Sequence, residues 1–174
     1  MNLFIRASTD TDVAAFAAIY ARSVLQETAS WEYTAPSTQE FAERRQDVLA
    51  KGYPYVAALV DGEVVGYSYA SAYRTRAGYR FVVEDSVYVR DDMKGRGIGK
   101  ALLLALIAAC TANGYRQMIA VIGDSGNAGS IKLHAACGFA TVAVFNGIGY
   151  KFDRWLDSVQ LQRTLGDGST SPAA

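Results

Sequence analysis

The stretch VYVRDDMKGRGIGKALL, residues 87–103, decides the fold. It reads as an alternating strand, a charged turn carrying Gly95, Gly97 and Gly99, and the opening of an apolar helix. Glycine costs about 1 kcal/mol relative to alanine inside a helix. It is kept where the backbone turns left-handed or where something approaches it closely. A strand feeding a helix through such a turn aims several backbone N–H groups at one point, with the positive end of the helix dipole behind them. That is an anion site suited to phosphate. Lys94, Arg96 and Lys100 add positive charge beside it. The P-loop pattern fails, because position 94 is Lys and Gly99-Lys100 is followed by Ala101; the dinucleotide pattern fails because the spacing is G-x-G-x-G. Two readings remain: a phosphate cradle of another kind, or a tight turn whose glycines let helix and sheet pack closely.

Working outward, the strand RFVVEDSVYV (80–89) precedes the turn, and a helix over 98–112 follows, stopped by Asn113-Gly114. Upstream, YPYVAALV (53–60) and EVVGYSYASAY (63–73) flank Asp61-Gly62 as a β-hairpin. Before them come a strand at 3–7, a helix to Gln26 opened by Thr9 and Asp12 as a capping box, and a helix over 37–50. Downstream the pattern predicts a strand at 116–122, a helix over 127–137 ended by Gly138, and strands at 139–146 and 152–163. This order gives a single α/β domain over 1–165 built around one mixed sheet. The polar residues 166–174 are expected to form a disordered tail.

The chain has 174 residues, half of them hydrophobic, enough for one real core. Seventeen Lys and Arg balance seventeen Asp and Glu, so no basic surface points to nucleic acid. No apolar run approaches membrane-spanning length. Cys110 and Cys137 lie in apolar helical contexts, which predicts reduced core thiols and a cytoplasmic protein. With one histidine besides, no metal site is expected.

The run from Lys94 through Gly97 to Gly99 resembles the acyl-CoA pyrophosphate loop of the GNAT acetyltransferase superfamily, [QR]-x-x-G-x-[GA], with Lys94 in the first position. NAGSIKLHAACGF (127–139) is similar to that superfamily's N-x-x-S-x-x-L-[YH]-x-x-x-G-F helix, and EDSVYV, LHAACGF and YKFDRWLD resemble its phosphinothricin and methionine-sulfoximine N-acetyltransferase branch. The resemblance implies a GNAT-like domain, its mostly antiparallel mixed sheet of about seven strands flanked by about four helices. It implies acetyl-CoA as co-substrate, a small amine as acceptor and a homodimer, with detoxification of an amino-acid analogue as the role.

It also implies roles for residues. Val87, Tyr88 and Val89 would meet the pantetheine arm, Val87 and Val89 through their backbone. Gly95, Arg96, Gly97, Ile98, Gly99 and Lys100 would hold the pyrophosphate through N–H groups, beside Lys94. Asn127 and Ser130 would contact the cofactor, although Asn127 reads equally as a helix N-cap and Ser130 as a first-turn residue. An ammonium must lose a proton before it attacks a thioester, and Glu84 is the expected base. Strand alternation sets Glu84, Ser86 and Tyr88 on one face and Asp85, Val87 and Val89 on the other. Asp85 and Ser86 join Glu84 on the substrate side. His134 would protonate the departing thiolate, or pack or hydrogen-bond near it. A backbone N–H near Val87 would hold the developing oxyanion if the strand splays there.

Arg74, Thr75 and Arg76 are expected at the acceptor site, where an arginine fork suits a carboxylate. Tyr73 and Arg76 stand where the methionine-derivative enzymes commonly carry Trp and Phe, which points to a more polar or acidic substrate. Trp31 reads as a pocket wall or a packed core residue, and Arg154 and Trp155 as facing a partner or buried in the monomer. The expected reaction is direct attack in a ternary complex, because Cys110 and Cys137 have no base nearby in sequence. Alternatives are a GNAT for another amine (polyamine, aminoglycoside or protein N-terminus) and a non-catalytic acyl-CoA sensor that keeps the 94–99 loop without needing Glu84.

Overall fold

Hydrophobic alternation and helical periodicity meet in a seven-stranded mixed sheet, seen in a computed structural model that describes residues 2–172. In chain order the elements are β1 (Leu3–Ala7), α1 (Val13–Gln26), α2 (Thr38–Ala50), β2 (Tyr55–Val60), β3 (Glu63–Ala72), β4 (Val82–Val89), α3 (Ile98–Ala112), β5 (Gln117–Gly123), α4 (Ala128–Ala136), β6 (Ala140–Lys151) and β7 (Arg154–Thr164). The strands lie in the order β1-β2-β3-β4-β5-β7-β6. Every pair is antiparallel except β4–β5, whose parallel crossover is α3. The mixed, mostly antiparallel sheet with four helices is the fold the sequence predicts.

Local chemistry sets the boundaries. At the start of α1, Asp12 accepts from the Thr9 backbone N–H at 2.7 Å while Arg6 forks onto the same carboxylate at 2.6 and 2.8 Å. Ser37 and Glu40 form a reciprocal capping box at the start of α2. Asp61 and Gly62, both at positive φ, turn the β2–β3 hairpin.

Two layers of side chains cover the two faces of the sheet. Phe16, Tyr20 and Phe41 from α1 and α2 pack on Tyr55 and Tyr67. The rings of Phe16 and Tyr67 lie 4.6 Å apart, and Tyr55 stacks on Tyr69 at 4.8 Å. On the other face Leu103, Leu106 and Cys110 of α3 pack on Met118 and Val159, joined by Cys137 and Phe139. Cys110 and Cys137 are buried and free. Among the described residues no helix is long and apolar enough to cross a membrane, and no cluster of His, Cys, Asp and Glu could hold a metal ion.

One expectation is corrected. Strand β6 runs on to Lys151 instead of ending at 146, with its register shifted between Phe145 and Gly149. The turn into β7 is Phe152-Asp153, at φ 53° and 55°. Gly147 and Gly149 looked like the break because they carry the turn chemistry, whereas they serve an irregularity within the strand. At the chain's end, Arg116 donates to the carbonyl oxygens of Gly168 and Pro172, each at 3.2 Å, and lies 3.1 Å from Ser171 Oγ. Ala173 and Ala174 lie outside the described residues.

A non-glycine residue at positive φ is strained, which yields a test. Asp153→Gly should stabilise the domain by roughly 0.5–1 kcal/mol, raising the melting temperature by about 1–3 °C in calorimetry.

Candidate active site at the fork between two strands

The site begins where a ladder stops. Strands β4 and β5 pair only from Val82↔Gln117 to Glu84↔Ile119. Beyond Glu84, β4 stays with β3 as far as Val89↔Gly66, while β5 stays with β7 as far as Gly123↔Ser158. The two strands part, and the splay that residues 85–89 needed is present. Their backbone on the β5 side has no strand partner.

Two cavities open from this fork. One, of about 520 Å³, is lined by Val87, Tyr88 and Val89 on one side and by Lys94, Gly95, Gly97, Gly99 and Lys100 at its end. Gly95 and Gly97 take φ of 74° and 81°, and no side chain caps the first turn of α3. The N–H groups there are free to meet an anion. Ile98 turns its side chain into the core, and Arg96 is exposed and off the cavity wall, so both can contribute only backbone to the cavity. Asn127 caps α4, its Oδ1 accepting from the Ser130 N–H at 3.2 Å, and it also lines both cavities, so its two readings coexist.

The second cavity, about 270 Å³, lies in the mouth of the fork. It shares Val87, Tyr88, Asn127 and Ser130 with the first, so the two meet. Its walls carry three carboxylates, Glu32, Glu84 and Asp85, with Trp31, Ser86 and Tyr20. Burial, with the Asp85 charge next to it, pushes the Glu84 carboxyl up to about 7. Tyr20 donates to Glu32 at 2.7 Å, and Arg44 forks onto the same carboxylate at 2.6 and 3.2 Å. Trp31 is 37% exposed, a wall of the cavity and not a core residue.

Asp85 and His134 close the far side of the fork. His134 Nε2 lies 3.0 Å from Asp85 Oδ2, and Nδ1 lies 2.8 Å from the Ser130 carbonyl oxygen. Both nitrogens face protein oxygens, an arrangement that favours the protonated ring. Burial alone would lower its pKa, but the hydrogen bond and charge of Asp85 raise it above the ordinary histidine value.

Residues 5–160 match the Acetyltransferase (GNAT) domain family. The chain belongs to the GNAT acetyltransferase family. It is 48% identical over 167 residues to the phosphinothricin N-acetyltransferase of Alcaligenes faecalis, covering 96% of this chain and 85% of that protein. It is 40% identical to the L-methionine sulfoximine/L-methionine sulfone acetyltransferase of Pseudomonas aeruginosa, over 99% of this chain and all of the relative. Among solved structures, the GNAT superfamily phosphinothricin acetyltransferase of Sinorhizobium meliloti in complex with AcCoA superposes with a TM-score of 0.97 at 45% identity, covering 100% of this chain and 94% of that one. The protein is an N-acetyltransferase.

Within this GNAT domain, the fork brings together most of the residues singled out from sequence; besides Arg96 and Ile98, three line neither cavity. Arg74, Thr75 and Arg76 are exposed and line neither cavity. The Arg74 guanidinium instead lies over the rings of Tyr73 and Tyr79, at 5.3 and 5.5 Å. His134, expected as an acid, has both N–H groups committed to protein oxygens. Asp85 is its buried partner, 7% exposed. Sequence reasoning missed Tyr20, Ser30 and Glu32. Only the SWEY segment around Trp31 hinted at them, and Tyr20 comes from a helix far off in sequence.

The pair gives a pH prediction. Folded His134 holds its proton above the ordinary value of about 6.5. Its stabilising contribution is therefore complete below that pH and lost as pH rises through the raised value. Melting temperatures of wild type and Asp85→Asn should differ most at pH 6 and converge toward pH 9.

Proposed function

We propose that this GNAT protein transfers an acetyl group from acetyl-CoA to the amine of a small amino-acid-like substrate of the phosphinothricin or methionine sulfoximine type. The observation that carries the reading is the meeting of the two cavities at Val87, Tyr88, Asn127 and Ser130, with Glu84 in the wall of the smaller one. The longer one fits the co-substrate: an open strand edge at 87–89 leads to bare backbone N–H groups at 95–100. Acetyl-CoA supplies the activated acyl carbon as a thioester. The smaller cavity suits the amine, because three carboxylates line it and His134, its one cation, is already paired.

Glu84 sits at the apex of the fork, in the wall of the smaller cavity, with its carboxyl pushed up to about 7. It accepts the ammonium proton, directly or through one water, and leaves the amine free to attack; collapse of the adduct breaks the C–S bond, and the second amine proton goes to the departing CoA thiolate. The free backbone of residues 85–88 offers N–H groups to the oxygen on which charge develops. The attack is direct within a ternary complex: Cys110 and Cys137 are buried and their thiols are pushed up by burial, so neither serves as a nucleophile. Acetylation removes the substrate's positive charge, which would disarm a toxic amino-acid analogue at any site that reads its ammonium.

The active form is a homodimer through the β6–β7 face. Val144, Ile148 and Tyr150 are exposed on β6, an edge strand free to pair with a second copy, and Trp155 of the adjoining β7 is 68% exposed beside them. Sedimentation should give twice the chain mass, and Ile148→Lys should shift it to monomer; a wild-type monomer would end this part of the reading.

Release of free CoA thiol, measured with phosphinothricin, methionine sulfoximine, methionine sulfone, ordinary amino acids and polyamines, tests the substrate class. Turnover is expected with one of the amino-acid analogues. The rate with it should rise with pH through about 7 as Glu84 ionises. Glu84→Gln should lower kcat by about 10²–10³-fold and leave acetyl-CoA affinity unchanged. A Glu84→Gln enzyme of normal rate would remove the base assignment.

A further inference from the structure

Lys151 is a buried cation with no carboxylate in contact, and the reaction as described does not use it. It ends β6, is 2% exposed, and donates to the carbonyl oxygens of Glu27 at 2.9 Å and Ser30 at 2.6 Å. Its ammonium also lies 5.0 Å from the centre of the Phe152 ring. Two backbone acceptors and one aromatic face thus occupy the three N–H directions. Desolvation disfavours the charged form and lowers its pKa, and the nearby Glu27 and Glu32 charges act against that shift.

The partners of this ammonium identify what it does. An ion pair with a side chain would fix that side chain; ligation by carbonyls fixes the course of the main chain. The carbonyl of Glu27 closes α1, and that of Ser30 lies within the irregular segment whose Ala29, Ser30, Trp31 and Glu32 wall the small cavity. Two glycines complete the seat. A Cβ on Gly149 would stand 1.9 Å from the Trp31 ring, and one on Gly123 would stand 2.2 Å from the Thr28 carbonyl oxygen. Tyr33 hydrogen-bonds the Tyr150 carbonyl beside them. The wall therefore lies directly on the strand, and the one charged group beneath it grips its backbone.

We infer that Lys151 is a positioning residue for the acceptor: by ligating the carbonyls of Glu27 and Ser30 it holds the segment carrying Trp31 and Glu32 in place as the wall of the small cavity. The inference rests on reading that cavity as the acceptor site. Lys151 lines neither cavity. Of the segment it holds, Ser30, Trp31 and Glu32 line only the small cavity, while Ala29 lines both and Glu27 the long one, so its removal should act more on acceptor binding than on the co-substrate.

The test uses Lys151→Met, which keeps the length and removes the charge, and Lys151→Arg, which restores donors. With phosphinothricin as acceptor, Lys151→Met should raise its KM about tenfold while acetyl-CoA affinity by calorimetry stays within about twofold. Lys151→Arg should recover part of the loss. An unchanged acceptor KM would overturn the assignment even if the melting temperature fell, and so would equal loss of both ligands, which marks a residue needed only for the fold. A second readout needs no acceptor. In a Trp155→Phe background Trp31 is the only tryptophan, and Lys151→Met should increase its quenching by acrylamide. Unchanged quenching would overturn the inference. If phosphinothricin is not turned over, the KM test uses whichever of methionine sulfoximine or methionine sulfone is; if the wild type acetylates none of them, the proposed substrate class fails, and the Trp31 signal still judges Lys151.

Discussion

The parallel pairing of β4 with β5 stops after Glu84, and the rest of the site depends on that stop. A continued ladder would occupy the β4 edge at 85–89 with β5, leaving no main chain to offer a ligand and no gap between the strands. Because each strand keeps its other neighbour, the parting costs only the hydrogen bonds of the one parallel interface. Those bonds are individually worth about 1 kcal/mol net. The gain is a cleft inside a rigid sheet, where a side chain can be half-desolvated without being sealed away. Glu84 is placed there, and its raised pKa is the electrostatic consequence of its position.

The two faces of the fork are filled by opposite chemistry. On the α1–α2 side, stacked tyrosines and phenylalanines make a stiff apolar backing for Ser86 and Tyr88. On the α3–α4 side, the Asp85–His134 pair joins β4 to α4 across 49 residues of chain. Burying such a pair gains little net stability, since desolvation offsets most of the attraction. Asp85 also keeps its second oxygen buried without a partner, a cost of about 1–3 kcal/mol. What the pair provides is placement: it fixes the helix carrying Asn127 and Ser130 against the open strand edge.

Much of this was legible in the sequence. The glycine turn, its α3 helix, the β2–β3 hairpin and the capped α1 and α2 follow from local rules, and strand alternation set Glu84 and Asp85 on opposite faces. The β6–β7 turn was not legible, because Phe152-Asp153 lacks turn chemistry while Gly147 and Gly149 nearby have it. Arg116 gave no sign that it would anchor the chain end, since its acceptors are carbonyls and carbonyls have no sequence signature. The arginine cluster at 74–76 lines neither cavity for a related reason: closeness to Glu84 along the chain does not bring a loop into a cavity that opens elsewhere.

The sequence alone determined the α/β class, the glycine turn at the head of α3 and the opposite strand faces of Glu84 and Asp85, because each rests on a periodicity or on a glycine's conformational freedom. Only the tertiary structure decided where β4 and β5 part, that both nitrogens of His134 face protein oxygens, and that Lys151 binds the backbone behind the wall of the small cavity. Those depend on contacts such as those between residues 35 to 124 positions apart. Such contacts are fixed by how the layers pack, and no local pattern encodes them.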